Sequence, residues 1–213
     1  MLRLYDYLPS QNGYKIRLLL NHLGREYRSQ IVSIFEGEGQ RTEYLEINPT
    51  GAVPAIRLDD GRVLAESNAI LFYLAEGSAY LPDDPFDRAK ILQWMSFEAD
   101  YIQTTAGSLR YWMLTGKIPR RPREIVEGKR LGALKALAAL DRELAERAFI
   151  LGDRYSIADI SLFAYTHVAR DADLPLDNFR NVIAWIDRIQ RQPGFLDRVY
   201  PYSIDPYSDR ELP

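Results

Sequence analysis

The chain of 213 residues has no cysteine and only two histidines. Without a thiol it can form no disulfide, no zinc–thiolate centre and no sulfur nucleophile of its own. Any sulfur chemistry must use a thiol brought by a ligand. His22 and His167 stand singly on expected helices and are too few for a metal site. An excess of positive charge is missing as well. Twenty-seven Lys and Arg against thirty Asp and Glu leave a net charge of -3, which excludes the clustered basic surface that nucleic acid requires. The one basic stretch, Lys117-Ile118-Pro119-Arg120-Arg121-Pro122-Arg123, reads as a solvated loop or as a rim that attracts an anionic ligand. No apolar run approaches the roughly 18 residues of a membrane span. The chain goes directly into Leu2-Arg3-Leu4-Tyr5 without a signal-peptide pattern. A cytoplasmic protein with neither membrane nor nucleic-acid partner is the expectation.

What is present divides in two. Leu2 to Tyr5 reads as a short strand, and Tyr14 to Leu23 as a helix with Ile16, Leu19, Leu20 and Leu23 on one face. Gly24 is placed to stop it. Gln30 to Ile34 is rich in β-branched residues and reads as a second strand. Thr42 to Ile47 is a short helix or turn. Ala55 to Leu58 and Arg62 to Ala65 form a hairpin around Asp60-Gly61, and Asn68 to Glu76 is a third helix. The order β-α-β-α-β-β-α predicts a mixed four-stranded sheet, because a strand-helix-strand start demands a parallel pair. Residues 1–77 form this α/β domain and residues 78–87, with Pro82 and Pro85, a linker. Residues 88–213 read as an all-helical domain. Its helices span Arg88 to Leu114, Arg123 to Arg147, Ile157 to Arg170 and Asn181 to Arg191. The tail beyond Tyr200 has no period and is expected to lie extended.

Three local patterns stand out. Asn48-Pro49-Thr50-Gly51-Ala52-Val53-Pro54 places a Gly turn between prolines ahead of a short strand, which leaves a backbone edge beside Pro54. Glu66-Ser67-Asn68-Ala69-Ile70 opens an apolar helix, and a helix N-terminus can hold a carboxylate. Pro9-Ser10-Gln11-Asn12 lies where the first strand meets the first helix. A fourth pattern, Tyr155-Ser156-Ile157-Ala158-Asp159-Ile160, is a capping box with a hydrophobic staple. It reads as structural, so Asp159 is not taken for a catalytic acid.

Taken in order, these motifs and the two-part architecture resemble the cytosolic glutathione transferases over essentially the whole chain. The stretch Pro-Ser-Gln-Asn-Gly-Tyr-Lys-Ile is most similar to the bacterial Nu class and the related Ure2p-like transferases. The resemblance implies a thioredoxin-like first domain, glutathione as co-substrate, no metal, and a homodimer. It places Ser10 and Asn12 beside the glutathione sulfur and implies a cis bond before Pro54. Val53 would offer its backbone to the cysteinyl unit, Gln40 would reach the glycine end, and Glu66 and Ser67 would hold the γ-glutamyl head.

Each assignment has a plainer counterpart. Glu66-Ser67 could be a simple N-cap with an acid in the first turn. Pro54 could be a trans edge-strand proline, and Gln40 a solvated loop residue. Pro9-Ser10 could be a capped turn. Tyr7 is the rival to Ser10, since other transferase classes use a tyrosine hydroxyl near this strand. The second substrate, a small electrophile or a disulfide, is expected between the domains. Tyr7, Tyr101, Tyr111 and Trp112 are its candidate walls, although helical spacing alone predicts burial for the last three. Two functions follow: a glutathione-dependent transferase or disulfide reductase, or a non-catalytic interaction protein on the same fold.

Overall fold

The computed structural model describes residues 1–213. They divide into two compact units, Met1–Glu76 with Pro193–Pro213, and Gly77–Gln192.

In the first unit, β1 (Arg3–Asp6) leads to α1 (Gln11–His22), β2 (Arg28–Ile31), two 3-10 turns (Ile34–Glu36 and Glu38–Gln40) and α2 (Thr42–Leu45). The hairpin β3 (Ala55–Arg57) and β4 (Val63–Ala65) then feeds α3 (Ser67–Leu74). The sheet order is β2-β1-β3-β4. β1 runs parallel to β2, with Tyr5 opposite Gln30, and antiparallel to β3, with Leu4 opposite Ile56. The mixed sheet expected from the element order is therefore present.

Successive strand residues face opposite sides. Leu4 and Ile56 are fully buried, as are Ile16, Leu19, Ile70 and Leu71 of the neighbouring α1 and α3. Tyr5 points the other way, into a cluster with Val32, Tyr44, Ile47 and Ala55. Gly24 adopts φ +59 just past α1, and its amide donates to the Asn21 carbonyl, ending the helix as expected. β2 is shorter than its β-branched run suggests. All four of its residues are exposed at the sheet edge, and Val32, whose amide donates to the Asp6 carbonyl at 2.8 Å, turns its side chain inward to the Tyr44 cluster.

The tail does not belong with the helical region, where the sequence placed it. It packs within the first unit. Tyr14 donates to the Leu196 carbonyl at 2.7 Å, and Asn21 donates to the Gly194 carbonyl at 2.8 Å. Its end is turned rather than extended, with a 3-10 segment at Tyr202–Ile204.

The second unit holds α4 (Pro85–Phe97), a π-helical stretch (Glu98–Gly107), α5 (Ser108–Leu114), α6 (Arg123–Glu143), α7 (Ile157–Thr166) and α8 (Arg180–Gln190). One continuous helix was expected from Arg88 to Leu114. The helical run is present without a gap, and within it the backbone pattern widens to π over Glu98–Gly107, where hydroxyls compete for backbone carbonyls. Thr104 donates to the Asp100 carbonyl, Thr105 to that of Tyr101, and Ser108 to that of Thr104 at 2.8 Å. In α6 the buried stripe is Ala133, Ala136, Leu137 and Leu140, while Leu131 is exposed. Lys117 is fully buried, so the basic stretch is not simply solvated. No helix is long and apolar enough to cross a membrane.

Candidate functional site

The N-terminus of α1 is built around a buried carboxylate. Asp6, at the end of β1, is fully buried and pairs with Arg17 Nε at 3.1 Å. Burial raises its pKa and the Arg17 charge opposes that rise. Gly13 is required here, because a Cβ at that position would lie 1.8 Å from Asp6 Oδ1. Arg17 also donates from Nη2 to the Leu8 carbonyl at 2.7 Å. One guanidinium thus fixes both the strand end and the loop that carries Pro9 and Ser10.

Ser10 is the N-cap of α1. Its Oγ accepts from the Gly13 amide at 3.3 Å, and its own amide donates to the Tyr7 carbonyl at 2.8 Å. The capped-turn reading is therefore right as far as it goes. A hydroxyl that accepts this bond still has its proton to donate, and it sits at the positive end of a twelve-residue helix. Tyr7 is 4% exposed. Its ring packs edge-on to Phe35 at 5.8 Å and lies 6.1 Å from that of Tyr202.

Asn12 is brought to Ser67 instead of standing apart from it. Ser67 Oγ donates to Asn12 Oδ1 at 3.3 Å and accepts from Lys15 Nζ at 3.4 Å. The starts of α1 and α3 are therefore joined through side chains, with a fully buried ammonium behind Ser67. Lys15 was missed in the sequence. Its signal was a charge three places after Asn12, on a helix whose apolar face was read without it.

The start of α3 departs from a simple cap. Glu66 occupies the N-cap position at φ +68 and ψ 113, and its side chain makes no capping bond. Positive φ is uncommon for a residue with a Cβ and costs on the order of 1–3 kcal/mol. Ser67 lies inside the helix and is 8% exposed. The plain-cap reading of Glu66-Ser67 does not fit this geometry.

The third wall is a loop held from several sides. Ala52 O accepts from Tyr44 Oη at 2.7 Å and from Asn48 Nδ2 at 2.8 Å. Asn48 Oδ1 in turn accepts from the Thr50 hydroxyl at 3.0 Å. The Val53-Pro54 bond is cis, as the resemblance implied. Gln40 ends a 3-10 turn and lies against this loop, so that a Cβ on Gly51 would meet Gln40 Nε2 at 2.4 Å. Close approach at Gly39 and Gly51 is what seats the turn there.

Tyr101, Tyr111 and Trp112 lie in the second unit. Tyr101 is 57% exposed on the π-helical stretch, beside Phe97 at 5.2 Å. Tyr111 carries Lys117 Nζ at 4.7 Å from its ring centre. Trp112 is approached by Arg121 at 5.3 Å and Lys129 at 5.4 Å. Cations cover faces of these last two rings, which their reading as candidate walls did not include.

Residues 9–76 match the family profile described as "Glutathione S-transferase, N-terminal domain", and residues 123–188 that of its C-terminal domain. A solved glutathione S-transferase from Pseudomonas fluorescens is 38% identical. It superposes with a TM-score of 0.89, covering 92% of this chain and 97% of its own. A maleylacetoacetate isomerase of Rhizobium meliloti is 34% identical over 95% of this chain and 97% of its own. A solved glutathione transferase from Pseudomonas putida, with one glutathione disulfide bound per subunit, is 28% identical at a TM-score of 0.80, covering 91% of this chain and 88% of its own. This chain belongs to the glutathione S-transferase family.

Proposed function

We propose that this protein binds glutathione on its first unit, stabilises the thiolate, and directs it at a second substrate. The carrying observation is the start of α3. Glu66 is held at φ +68 with no capping bond, ahead of a Ser67 fixed by Asn12 and Lys15. The Glu66 carbonyl still accepts from the Ile70 amide at 2.9 Å, but its side chain closes no local bond, and strain around an uncommitted side chain is what a ligand site retains. In this reading the Ser67 hydroxyl and the first amides of α3 hold the γ-glutamyl carboxylate, with the Lys15 charge behind them. Glu66 takes the ammonium. Val53 pairs its backbone with the cysteinyl unit as an added strand, and Gln40 reaches the glycine end.

Ser10 donates its proton to the sulfur, and the positive end of α1 favours the anion. A free thiol titrates near 8.5. Lowering that by two units needs about 2.7 kcal/mol, within reach of one or two hydrogen bonds to a charged acceptor. Tyr7, enclosed by Phe35 and Tyr202, serves as cleft wall. Asn12 acts chiefly by orienting Ser67.

The thiolate then attacks an electrophilic carbon, forming a C–S bond while the leaving group departs with its electron pair. A second reading is favoured by the glutathione disulfide held by the Pseudomonas putida relative. There the thiolate attacks one sulfur of a small disulfide and releases the other as thiolate. A second glutathione then resolves the mixed disulfide, since this chain has no cysteine to do so. We place the protein nearest the Nu-like transferases and expect a homodimer. A purely non-catalytic role fits less well, because a scaffold has no use for the Glu66 conformation.

Glutathione titrated at neutral pH, with thiolate ultraviolet absorbance as the readout, tests this. Saturable absorbance that falls in Ser10→Ala is expected. No binding would overturn the enzyme reading. Binding whose thiolate signal is lost in Tyr7→Phe, and kept in Ser10→Ala, would transfer the role to Tyr7.

A further inference from the structure

The C-terminal tail walls a pocket beside Tyr7, and the lining sets a charge preference that the transferase reading leaves open. A cavity of ≈ 340 Å³ lies within the first unit, in the range of small-molecule sites. On one side it is walled by Tyr7, Pro9 and Ile31, and on the other by Ile204, Pro206 and Tyr207 of the tail. Pro9 is the immediate neighbour of Ser10, so the pocket opens beside the loop that carries the candidate thiolate donor.

Its two walls are tied together. Arg17 Nη2 donates to the Leu8 carbonyl at 2.7 Å, and the same guanidinium lies 5.3 Å from the Tyr200 ring centre. Tyr202 packs on Tyr7. The tail is thus a fixed wall, not a loose end.

The charge of the lining is one-sided. Glu36 and Asp205 are its two ionisable carboxylates, and no Lys, Arg or His lines it. Asp205 Oδ1 accepts from the Tyr207 amide at 2.9 Å, which keeps that carboxylate at the wall. Arg210 stacks on the Tyr207 ring at 4.0 Å and Arg17 reaches the Leu8 carbonyl at 2.7 Å, but neither side chain is itself part of the lining.

We propose that this tail-walled pocket holds the aromatic, uncharged or cationic part of the second substrate and rejects anionic groups. The assignment rests on the glutathione reading above and narrows it. A carboxylate brought between Glu36 and Asp205 would meet like charge from both, with no cation among the lining residues to offset it. Flat apolar groups gain contact with Tyr7, Ile204 and Tyr207, and a cationic group gains from tyrosine faces and both acids. A dicarboxylate substrate of the maleylacetoacetate kind is therefore disfavoured here.

The test uses three probes of one shape: benzyl alcohol, benzyltrimethylammonium and benzoate, each titrated into the full-length protein by ligand-observed NMR. The alcohol and the ammonium are expected to bind about tenfold or more tighter than benzoate, the effect of one like charge at a partly exposed site. In the Glu36→Gln/Asp205→Asn double variant that gap should close to within about threefold. Tyr207→Ala should weaken the alcohol; should Tyr207→Ala not fold, Ile204→Ser, at an exposed wall position, should do the same. Benzoate binding as tightly as the alcohol, or indifference to the folded wall variant, would overturn the proposal. Glutathione is titrated in parallel. Loss of glutathione binding with the probes still bound would sink the transferase reading alone, and the reverse would sink the pocket alone.

Discussion

Two helix starts in this molecule use the same kinds of residue to opposite ends. At α7, Ser156 and Asp159 close a complete capping box. Asp159 is fully buried and accepts from the amides of Ile150 and Ser156 and from Trp185 Nε1, at 2.9 to 3.0 Å. At α3, the Glu66 side chain makes no capping bond and its backbone sits at φ +68, while Ser67 turns back to Asn12 and Lys15. The first start spends its polar groups on its own fold. The second leaves the Glu66 side chain without a local bond in a costly backbone conformation, which is the feature the glutathione proposal builds on. A serine next to an acid is therefore not informative by itself; what separates structure from site is whether the donors and acceptors close on each other.

That contrast can be broken from the structural side with the largest effect. Asp159→Ala strands four buried donors, the Ile150 and Ser156 amides, the Ser156 hydroxyl and Trp185 Nε1, and should cost about 3 kcal/mol or more, read by urea unfolding. Glutathione affinity of the protein that remains folded should be unchanged. An equal loss of both would mean that the two helix starts are not separable.

The same carboxyl sets a pH dependence. Burial holds its pKa up at about 6, against an ordinary 3.8. The folded state therefore keeps the proton longer than the unfolded one. This contribution is fully present below pH 3.8 and is lost as pH rises through 6. Unfolding free energies measured across that window should fall with rising pH in the parent protein relative to Asp159→Asn. A parallel pair of curves would show that Asp159 does not titrate there.

On the functional side, Ser67→Ala should raise the dissociation constant for glutathione ten- to a hundredfold, about 1.4–2.7 kcal/mol, by calorimetry. The unfolding midpoint should fall less than in Asp159→Ala, since one buried donor, Lys15, loses an acceptor there instead of four. A change in stability without a change in affinity would reassign Ser67 to the fold.

The smallest effect is the sharpest in sign. Glu66→Gly removes a side chain from a positive-φ position and should leave stability equal or raise it by about 0.5–1 kcal/mol, while glutathione binding weakens. Lower stability would mean that the glutamate conformation is not strained.

The parts of this protein that could be read in its sequence are those fixed by short-range rules. Asp60-Gly61 gave the hairpin, Gly24 the end of α1, and Ser156 with Asp159 the cap. The order of elements gave the mixed sheet. The parts that could not be read depend on tertiary contact or on competition at one atom. Lys15 looks like any helical lysine until α3 brings Ser67 to its ammonium. The π-helical stretch arises because three hydroxyls reach back to carbonyls, which apolar periodicity does not register. The bond of Asn12 to Ser67 likewise needed the start of α3 beside it. The strain at Glu66 has no sequence signature at all, since glutamate is a common residue ahead of a helix.

The tail has a consequence for the order in which the protein is made. Residues 193–213 complete the unit begun by residues 1–76, and the whole of 77–192 is translated between them. At a synthesis rate on the order of ten residues per second, the nascent sheet and its helices wait about ten seconds for the strap that covers Tyr7. During that interval Tyr14 and Asn21 lack the carbonyls of Leu196 and Gly194 that they later hold. The half that is started first is thus the half that is finished last, and ribosome-stalled chains ending before Pro193 should be the most open to protease at the Leu8–Pro9 loop.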